Sequence, residues 1–431
     1  MDWRQEYRHK LVSTPDEAVQ LVESGDRVFF QQGHCEARSL LAALMRRREE
    51  LEDVWLHAHK HWGPAGYCKP GMEGHFKSSS NFLGDTNRKD AQAGRVEYLP
   101  MYYYETDAFY RTEFRPDVFF LMLSAPDETG RCSFGLGADY SVACAQSARK
   151  VIVQINPSMP WTCGSYFDLK DAAAILEWDE PIVEISMGTP GALEEQMARY
   201  IAPLIQDGDC LQLGIGGVPD ALLSYLKDKR DLGIHSELFS DGVVDLCRAG
   251  VITNRRKNYN QGKLVANFLL GSRKLFDFVD HNPDVLMLPV GITNDPREIA
   301  KNDNMVSINS CLQIDLFGQV NSETINGKEY GGIGGQVDFV RGARMSKGGR
   351  SILTVKSTAK QDTLSNIVCT LPPQTVVTTS RYDVQYVCSE YGIVNLHGKM
   401  VQERAQALIG LAHPKFRDGL RKQAKEAGIL F

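Results

Sequence analysis

The sequence predicts an α/β protein made of two similar open α/β domains with mostly parallel sheets. A chain of 431 residues is too long for one ordinary hydrophobic core, so two or more domains are expected. Short runs rich in β-branched and aromatic residues alternate with stretches of helical apolar spacing along the whole chain. That alternation is typical of helices packed on a mostly parallel sheet.

The first half of the chain supplies four strand-like runs and two helix-like stretches. The runs are short and β-branched or aromatic, which indicates strands. They lie at residues 26–30, 54–57, 118–123 and 150–155. Residues 39–51 have helical spacing, residues 124–130 form a turn, and residues 139–149 are predicted as a helix that leads into the fourth strand.

The pattern breaks around residues 187–191, which read Met-Gly-Thr-Pro-Gly, and restarts with an amphipathic helix that runs to about residue 205. We therefore predict an N-terminal domain at residues 1–188 and a C-terminal domain at residues 189–431. Strands of the second domain are predicted at 210–213, 233–238, 264–270, 285–289, 351–355 and 376–379. No repeat with a period of 20 to 50 residues is visible, which argues against a solenoid.

Composition and charge indicate a cytoplasmic globular protein. The chain is 43% apolar, and its net charge of −6 with interspersed acidic and basic residues argues against nucleic acid or an anionic membrane as partner. The N-terminus is charged and lacks the apolar segment of a signal peptide, and no apolar run approaches the roughly 18 residues of a membrane helix. Ten cysteines without a CxxC pair are typical of buried thiols in a reducing compartment.

Three histidines alternate along one predicted strand. His57, His59 and His61 would project from the same face, where imidazoles could in principle hold a transition metal. Three successive side chains on one strand span too far for a tight site, and no carboxylate or cysteine accompanies them. The ordinary interpretation is a strand near a sheet edge or a cleft, and we expect no metal.

A glycine loop begins directly after the strand predicted at 210–213. Gly214 and Gly216 allow positive φ and close backbone approach, and Pro219 fits the first turn of a helix over residues 219–227, where no backbone N–H is needed. The N-terminus of that helix would stabilise an anion, or an oxygen that acquires negative charge. A glycine loop by itself is as typical of a purely structural turn as of an anion-binding site.

Glu237 lies at the end of the next predicted strand, 18 residues after Pro219, and the carboxyl ends of parallel strands share one edge of a sheet. Two chemistries compete for this arrangement. In a dinucleotide site, an acidic residue about 20 residues past the glycines binds ribose hydroxyls, but Pro219 replaces the third glycine of that fingerprint. Alternatively, Glu237 is a nucleophile that attacks an acyl carbon, such as that of a thioester, while nearby donors hold the oxyanion.

A second glycine cluster favours the nucleophile. Residues 331–335 contain four glycines, and the conformational entropy that these lose is hard to justify in a plain turn. Two further polar residues have ordinary interpretations. Asn294 begins a turn before a helix and is typical of a helix cap, and Glu390 is typical of a solvated surface charge.

Four motifs in order carry a resemblance to a known family. They are Gly214-Ile-Gly-Gly-Val-Pro219, His235-Ser-Glu-Leu-Phe-Ser-Asp-Gly242, Gly331-Gly-Ile-Gly-Gly-Gln-Val-Asp-Phe339 and Glu390-Tyr-Gly392. Over nearly its whole length the chain resembles the acetyl-CoA hydrolase/transferase family, and within it the CoA-transferases that act on 4-hydroxybutyrate or on butyrate and acetate. The resemblance implies two open α/β domains of the class I CoA-transferase type, with the active site between them.

The resemblance also implies a reaction and a set of site residues. CoA-transferases of this family exchange CoA between an acyl-CoA and a free short-chain carboxylate through a glutamyl-CoA thioester, in a ping-pong reaction, and Glu237 matches that glutamate. Asn294 matches a polar active-site residue, and Glu390 matches one that positions the incoming acid. The positions that match CoA-binding or oxyanion residues are Gly214, Ile215, Gly216, Gly217, Val218, Leu312, through its backbone, and Gly335.

The expected ligands of such an enzyme are its substrates, an acyl-CoA and a carboxylic acid. No metal or permanently bound cofactor is expected, because the thioester carries the activation, and a homo-oligomer such as a dimer is compatible with the resemblance. Two alternatives stay open: an acyl-CoA hydrolase that admits water to the same site, and a non-catalytic CoA- or nucleotide-binding module that has no need of Glu237. The acyl group also stays open, because residues 33–38 and 57–67 depart from the family pattern.

Overall fold

The computed structural model describes residues 3–185, 188–214 and 216–431. They form two compact units. The first contains the described residues of 1–185, 265–293 and 329–334, and the second contains those of 186–264, 294–328 and 335–431. The chain therefore re-enters the first unit twice after leaving it. Met187, at the start of the predicted break, lies outside the described residues, and the single boundary at 188/189 stays a prediction.

The first unit is built, in its described residues, around an eight-stranded sheet whose neighbouring strands are all parallel. The order across the sheet is Leu11–Val12, Ala174–Glu177, Lys150–Ile155, Val118–Leu123, Arg27–Phe30, Val54–Lys60, Phe76–Phe82 and Glu97–Tyr98. Val118–Leu123 is buried along its whole length, as expected for a parallel strand covered on both faces. The four strands predicted in this half are confirmed, because strands are observed at Arg27–Phe30, Val54–Lys60, Val118–Leu123 and Lys150–Ile155.

The second unit contains, within the described ranges, a six-stranded sheet. Its order is Gly233–Ile234, Cys210–Leu213, Met305–Ser310, Arg350–Thr354, Tyr386–Ser389 and Gly392–Asn395. The first five strands are parallel, and the last two form an antiparallel hairpin. The central strand Met305–Ser310 was missed in the sequence, because its serines and asparagine weaken the apolar pattern and only its two neighbours make it a strand.

Helices and short strands complete the two units. The α-helices are Trp3–Lys10, Pro15–Ala18, Arg38–Arg46, Arg88–Gln92, Thr106–Thr112, Ser141–Ser147, Ala192–Ile201, Gly217–Ser224, Asp241–Arg248, Arg273–Val279, Val290–Thr293, Pro296–Ile299, Gln336–Met345, Val401–Leu411 and Pro414–Glu426. The 3-10 helices are Val19–Leu21, Gly33–Cys35, Arg48–Glu50, Gly66–Cys68, Tyr103–Glu105, Leu169–Asp171 and Ala202–Leu204. The strands outside the two large sheets are Arg131–Ser133, Tyr166–Asp168, Leu238–Phe239, Leu264–Ala266, Phe268–Leu269, Val285–Met287, Gln313–Asp315, Val320–Asn321, Thr324–Ile325, Lys328–Glu329, Thr358–Ala359, Leu364–Ser365 and Ile367–Val368.

The strand predicted at residues 376–379 is wrong. Thr379 pairs with Val320 in an isolated bridge, and the side chains of Val376 and Val377 are 38% and 46% exposed. A β-branched run resembles a strand, but this one has no apolar face to bury. The stretch predicted as one strand at 233–238 is interrupted, because strand pairing ends at Ile234 and resumes at Leu238.

The parallel strands of the second unit bring residues from distant parts of the chain to one edge of the sheet. Gly214 directly follows Cys210–Leu213, and Glu237 lies three residues after Gly233–Ile234. Leu312 lies two residues after Met305–Ser310, and Glu390 directly follows Tyr386–Ser389. Because the carboxyl ends of parallel strands lie at the same edge, the fold gathers these predicted residues where α/β proteins bind ligands.

Two expectations from composition can be compared with the structure. All ten cysteines lie in the described residues and are free thiols, and six of them are buried, which confirms the prediction of buried thiols. Within residues 3–185, 188–214 and 216–431, no helix combines the length and the apolar composition needed to cross a lipid bilayer.

Candidate active site

Glu237 stands on a short segment that is tied to the strand before the glycine loop. Its neighbours His235 and Ser236 are buried, whereas Glu237 is partly exposed. The Ser236 hydroxyl lies 3.4 Å from both the backbone nitrogen and the carbonyl oxygen of Leu213. The structure therefore fixes the backbone around Glu237 and leaves part of its side chain accessible at the sheet edge.

Asn294 holds the Glu237 carboxylate. The Asn294 side chain is fully buried, and its amide nitrogen donates to Glu237 Oε2 at 2.9 Å. The same nitrogen lies 3.3 Å from Asp338 Oδ2. The helix-cap interpretation of Asn294 is wrong, because Asp295 caps the helix Pro296–Ile299 by accepting from the backbone N–H of Arg297. Asn294 is therefore available to orient the carboxylate of Glu237.

Gly335 sits against both of these side chains. It precedes the first residue of the helix Gln336–Met345, and a Cβ at this position would collide with Glu237 Oε2 and Asn294 Nδ2. Only glycine lets the backbone approach the carboxylate so closely. The N-terminus of this helix carries a partial positive charge that favours negative charge on a neighbouring oxygen. The structure thus brings three predicted site residues, Glu237, Asn294 and Gly335, into contact.

The first glycine loop starts a second helix at the same sheet edge. Gly216 has a φ of +127° and precedes the helix Gly217–Ser224, so its conformation requires glycine. A Cβ on Gly217 would come within 2.7 Å of Glu194 Cγ, which shows that the loop is packed beneath the Glu194 side chain. Ile215, also predicted to contact CoA, lies outside the described residues.

A cavity of about 610 Å³ opens in the second unit beside this loop. Its volume is in the range of ligand pockets, and most of its lining is apolar. Gly217, Val218 and Leu312 line it, so three of the residues predicted to bind CoA share one cavity. The backbone N–H of Leu312 donates to Asn321 O at 2.9 Å, so a CoA contact through that N–H would need the bond to break.

Lys356 and Glu194 also line this cavity, and neither was predicted from the sequence. Lys356 Nζ lies 2.6 Å from Glu194 Oε1, and the Lys356 side chain is 53% exposed. Hydrogen bonding to Lys356 lowers the pKa of the Glu194 carboxyl below its ordinary value. The position of Lys356 in the sequence could have indicated it as a site residue, because it lies two residues after the parallel strand Arg350–Thr354 and therefore at the same carboxyl edge.

Glu390 has a partner that the sequence did not suggest. Its carboxylate accepts from the backbone N–H of Ser357 at 3.0 Å and from the Ser357 hydroxyl. Ser357 is the neighbour of Lys356, so Glu390 supports the segment that carries this cation. The interpretation of Glu390 as a solvated surface charge is thereby replaced, while its predicted contact with the incoming acid stays a prediction.

The three alternating histidines lie inside the first unit and have other partners. His57 is hydrogen-bonded to the hydroxyls of Ser79 and Tyr110, and His61 to the Tyr67 hydroxyl. Burial lowers the pKa of His59 to about 3 and that of His61 to about 4, so both imidazoles are neutral near pH 7. Their strand pairs on both sides and is the third from one edge of its sheet. No group of metal-ligating side chains in the described part of the chain has the arrangement of a metal site.

With this geometry in place, comparison with known proteins identifies the family. The model of the acetyl-CoA hydrolase/transferase N-terminal domain matches residues 1–185, and that of the C-terminal domain matches residues 271–424. The chain belongs to the acetyl-CoA hydrolase/transferase family. The second glycine loop lies inside the C-terminal match, whereas the first glycine loop and Glu237 lie between the two matched ranges.

Its relatives and structural neighbours narrow this class. The chain is 44% identical to a 4-hydroxybutyrate coenzyme A transferase of Clostridium kluyveri, over 99% of this chain and 100% of the relative. It is 40% identical to a succinyl-CoA:cyclohexane-1-carboxylate CoA transferase of Geobacter metallireducens, over 98% and 97%. The crystal structure of RipA from Yersinia pestis matches with a TM-score of 0.95 and 37% identity over the full length of both chains.

Transferases and hydrolases differ in their similarity to the chain. Relatives that are 36–44% identical over nearly the whole chain are CoA-transferases. An acetyl-CoA hydrolase of Yarrowia lipolytica is 28% identical over 50% of the chain. Similarity to these transferases is therefore higher, and covers more of the chain, than similarity to this hydrolase.

Proposed function

We propose that this protein is a CoA-transferase that exchanges CoA between an acyl-CoA and a free short-chain carboxylate of the 4-hydroxybutyrate, butyrate and acetate type. Glu237 is the nucleophile. The observation that carries the proposal is the contact of the Glu237 carboxylate with the Asn294 amide and Gly335, at the start of a helix and at the sheet edge that also bears the 610 Å³ cavity. The full-length similarity to CoA-transferases supports it.

The reaction proceeds through two covalent states of Glu237. A carboxylate oxygen of Glu237 attacks the thioester carbon of the acyl-CoA, and the tetrahedral intermediate expels CoA thiolate to give the acyl-glutamyl anhydride. The thiolate then attacks the Glu237 carbonyl carbon, and the first acid leaves with one of the two oxygens that the carboxylate carried. A second carboxylate attacks the glutamyl-CoA thioester, and the same steps run in reverse to give the new acyl-CoA and the free Glu237 carboxylate.

Each step passes through a tetrahedral oxyanion that needs preorganised donors. The backbone at the start of the helices Gly217–Ser224 and Gln336–Met345 and the Asn294 amide are the candidate donors. One such donor typically contributes about 3 kcal/mol to the stability of the transition state. Gly335 allows this close approach of backbone to Glu237, and Gly216 supplies the positive φ from which the helix Gly217–Ser224 starts. The proposal therefore gives each of the two glycine clusters a role.

The cavity beside the first loop is the binding site for the CoA portion of the substrate. Its apolar lining suits the pantetheine chain, while Lys356 supplies a positive charge for a phosphate group. Glu194 now holds Lys356, so phosphate binding would replace one anionic partner of this lysine by another. The positive charge of Lys356 is a local feature of this cavity, because the chain as a whole has a net charge of −6.

The test is covalent trapping on Glu237. The protein is incubated with acyl-CoA, reduced with borohydride and mapped by peptide mass, and the modified residue is expected to be Glu237. Glu237→Gln should lower acyl exchange by at least about 10⁴-fold, because loss of a nucleophile removes the covalent route. Glu195→Gln, a change of a half-exposed glutamate on the helix Ala192–Ile201, is the matched control and should keep full activity.

Two results would contradict the proposal: no adduct on Glu237, or exchange by Glu237→Gln within about tenfold of the parent. Release of free acid, measured with and without acetate, separates the transferase from a hydrolase. A transferase forms acetyl-CoA as the first acid appears, whereas a hydrolase releases acid and free CoA at a rate that acetate does not change.

A further inference from the structure

Asp338 is a buried carboxylate that the proposed reaction does not use. It is the third residue of the helix Gln336–Met345 and is 1% exposed. Its Oδ2 lies 3.3 Å from Asn294 Nδ2, the same nitrogen that donates to Glu237 Oε2 at 2.9 Å. One side-chain amide therefore joins two carboxylates, one at the reacting position and one inside the protein.

This arrangement selects one of the two orientations of the Asn294 amide. The NH₂ group has two hydrogens and can serve both carboxylates, whereas a rotation by 180° would direct Oδ1 at negatively charged oxygens. While Glu237 is a free carboxylate, both acids favour the same orientation. In the anhydride and in the glutamyl-CoA thioester, however, Glu237 is neutral, and its preference for the NH₂ group is weaker. Asp338 takes no part in the covalent steps, so its contact with Asn294 Nδ2 does not require Glu237 to be a free carboxylate.

The protein holds Asp338 and Asn294 in place through packing. Val337, Phe339 and Val340, the neighbours of Asp338 on its helix, are all buried. Phe339 shares an apolar cluster with Ile299, which lies at the end of the short helix that follows Asn294. Both partners are thus attached to one packed core, so the distance between them is set independently of the state of Glu237.

We propose that Asp338 is a positioning residue for the reaction. It holds the Asn294 amide so that the NH₂ group faces the oxygen of Glu237 in the covalent intermediates as well as in the free carboxylate. The inference rests on the proposed function of Glu237. Asp338 acts through Asn294 and does not itself touch the substrate.

A double-mutant cycle tests this role. Asp338→Asn should lower kcat by about 10- to 100-fold and change the KM for acyl-CoA by less than about threefold, because the amide acts on the reacting oxygen and not on CoA binding. Asn294→Ala should lower kcat by at least as much. The double variant should match Asn294→Ala within about threefold, because Asp338 has nothing left to position once the amide is gone.

Asp209→Asn is the matched control. Asp209 is also buried, at 2% exposed, but it pairs with Arg350 at the amino end of its strand, away from the carboxyl edge. Asp209→Asn should change kcat by the same factor in the parent protein and in the Asn294→Ala variant. Melting temperatures of all variants separate loss of structure from loss of rate, and Asp338→Ser provides a second uncharged side chain if Asp338→Asn does not fold.

Two outcomes would overturn the inference. The first is a kcat of Asp338→Asn within about threefold of the parent, and the second is a double variant in which the two losses multiply. Trapping on the parent protein keeps this result apart from the proposed function. If Glu237 forms the adduct and the cycle shows no coupling, only the role of Asp338 fails, whereas absence of the adduct removes the proposed function itself.

Discussion

At the scale of single residues, the candidate site depends on how closely Gly335 and Asn294 approach Glu237. A carboxylate attacks a thioester only when it is aligned with the acyl carbon, and errors of about 1 Å can cost roughly 100-fold in rate. Asn294 fixes one carboxylate oxygen, and Gly335 leaves just enough room for that geometry. Small changes at these positions should therefore affect the rate more than the fold.

Gly335→Ala is expected to lower kcat by about 100-fold or more, because the added methyl group would collide with Glu237 and Asn294 and displace the carboxylate. Gly410→Ala is the matched control. Gly410 lies in the helix Val401–Leu411 with nothing within 4 Å of an added Cβ, so that variant should keep full activity. Steady-state exchange rates measure both, and equal rates for Gly335→Ala and the parent would contradict the assigned geometry.

Lys356→Met is expected to raise the KM for acyl-CoA by about tenfold with a smaller change in kcat. The physical reason is the loss of a charge-assisted contact to phosphate, which is worth about 1.5–3 kcal/mol. Lys422→Met is the control for the loss of one positive charge, because the Lys422 side chain is 79% exposed. A KM for acyl-CoA that stays unchanged in Lys356→Met would place the CoA phosphates elsewhere.

At the scale of secondary-structure elements, the two-residue strand before Glu237 is held by a buried ammonium group. Lys257 Nζ donates to the carbonyl oxygens of Ile234 at 2.8 Å and of Lys263 at 2.7 Å. Asn254 Oδ1 accepts from the backbone N–H of Ile234 at 2.9 Å. Gly233–Ile234 lies at the edge of its sheet, so these side chains satisfy backbone groups that a further strand would otherwise pair.

Lys257 predicts a pH dependence of stability. Burial lowers the pKa of Lys257 from 10.5 to about 8. Between these two pKa values, Lys257 is protonated to a greater extent in the unfolded chain than in the folded one. The free energy of unfolding of the parent, relative to that of Lys257→Met, should therefore rise by about 2 kcal/mol between pH 7 and pH 10. Urea unfolding followed by circular dichroism measures this difference. A difference that does not change with pH would mean that Lys257 is not desolvated.

At the scale of the whole molecule, stability towards acid depends on imidazoles buried in the first unit. His59 is stacked on Tyr103 with ring centroids 4.0 Å apart, and burial holds its pKa at about 3. The stability that the neutral His59 contributes is fully present above pH 6.5 and is lost as the pH falls towards 3. His61 behaves in the same way, with a pKa of about 4.

His59→Phe should reduce this sensitivity to acid. The aromatic ring can keep the stack on Tyr103 but cannot bind a proton, so between pH 6.5 and 4.5 the parent should lose about 2 kcal/mol more of its free energy of unfolding than the variant does. All five tryptophans fall within residues 3–178, so tryptophan fluorescence in urea reports on the first unit. Parallel pH profiles for the parent and the variant would contradict the buried, neutral state of His59.

Much of the fold followed from local pattern, and the exceptions have physical causes. Val118–Leu123, which is apolar throughout, and Cys210–Leu213, which is apolar except for Gln212, were predicted at their observed bounds, because such runs must be buried wherever the chain goes. Met305–Ser310 was missed, because its polar residues are acceptable only between two particular neighbours. The run at 376–379 was predicted as a strand, because its composition does not reveal that Val376 and Val377 stay exposed.

The sequence by itself determined the fold class, the two glycine loops and the assignment of Glu237 as the candidate nucleophile, because strand periodicity, glycine content and motif order are properties of contiguous residues. Only the tertiary structure decided that Asn294 holds Glu237 rather than a helix end, that Asp338 lies behind it, and that Lys356 lines the cavity. Asn294 is 57 residues from Glu237 and 44 from Asp338. Contacts across such separations depend on the register of the strands and the packing of the helices, which no local pattern encodes.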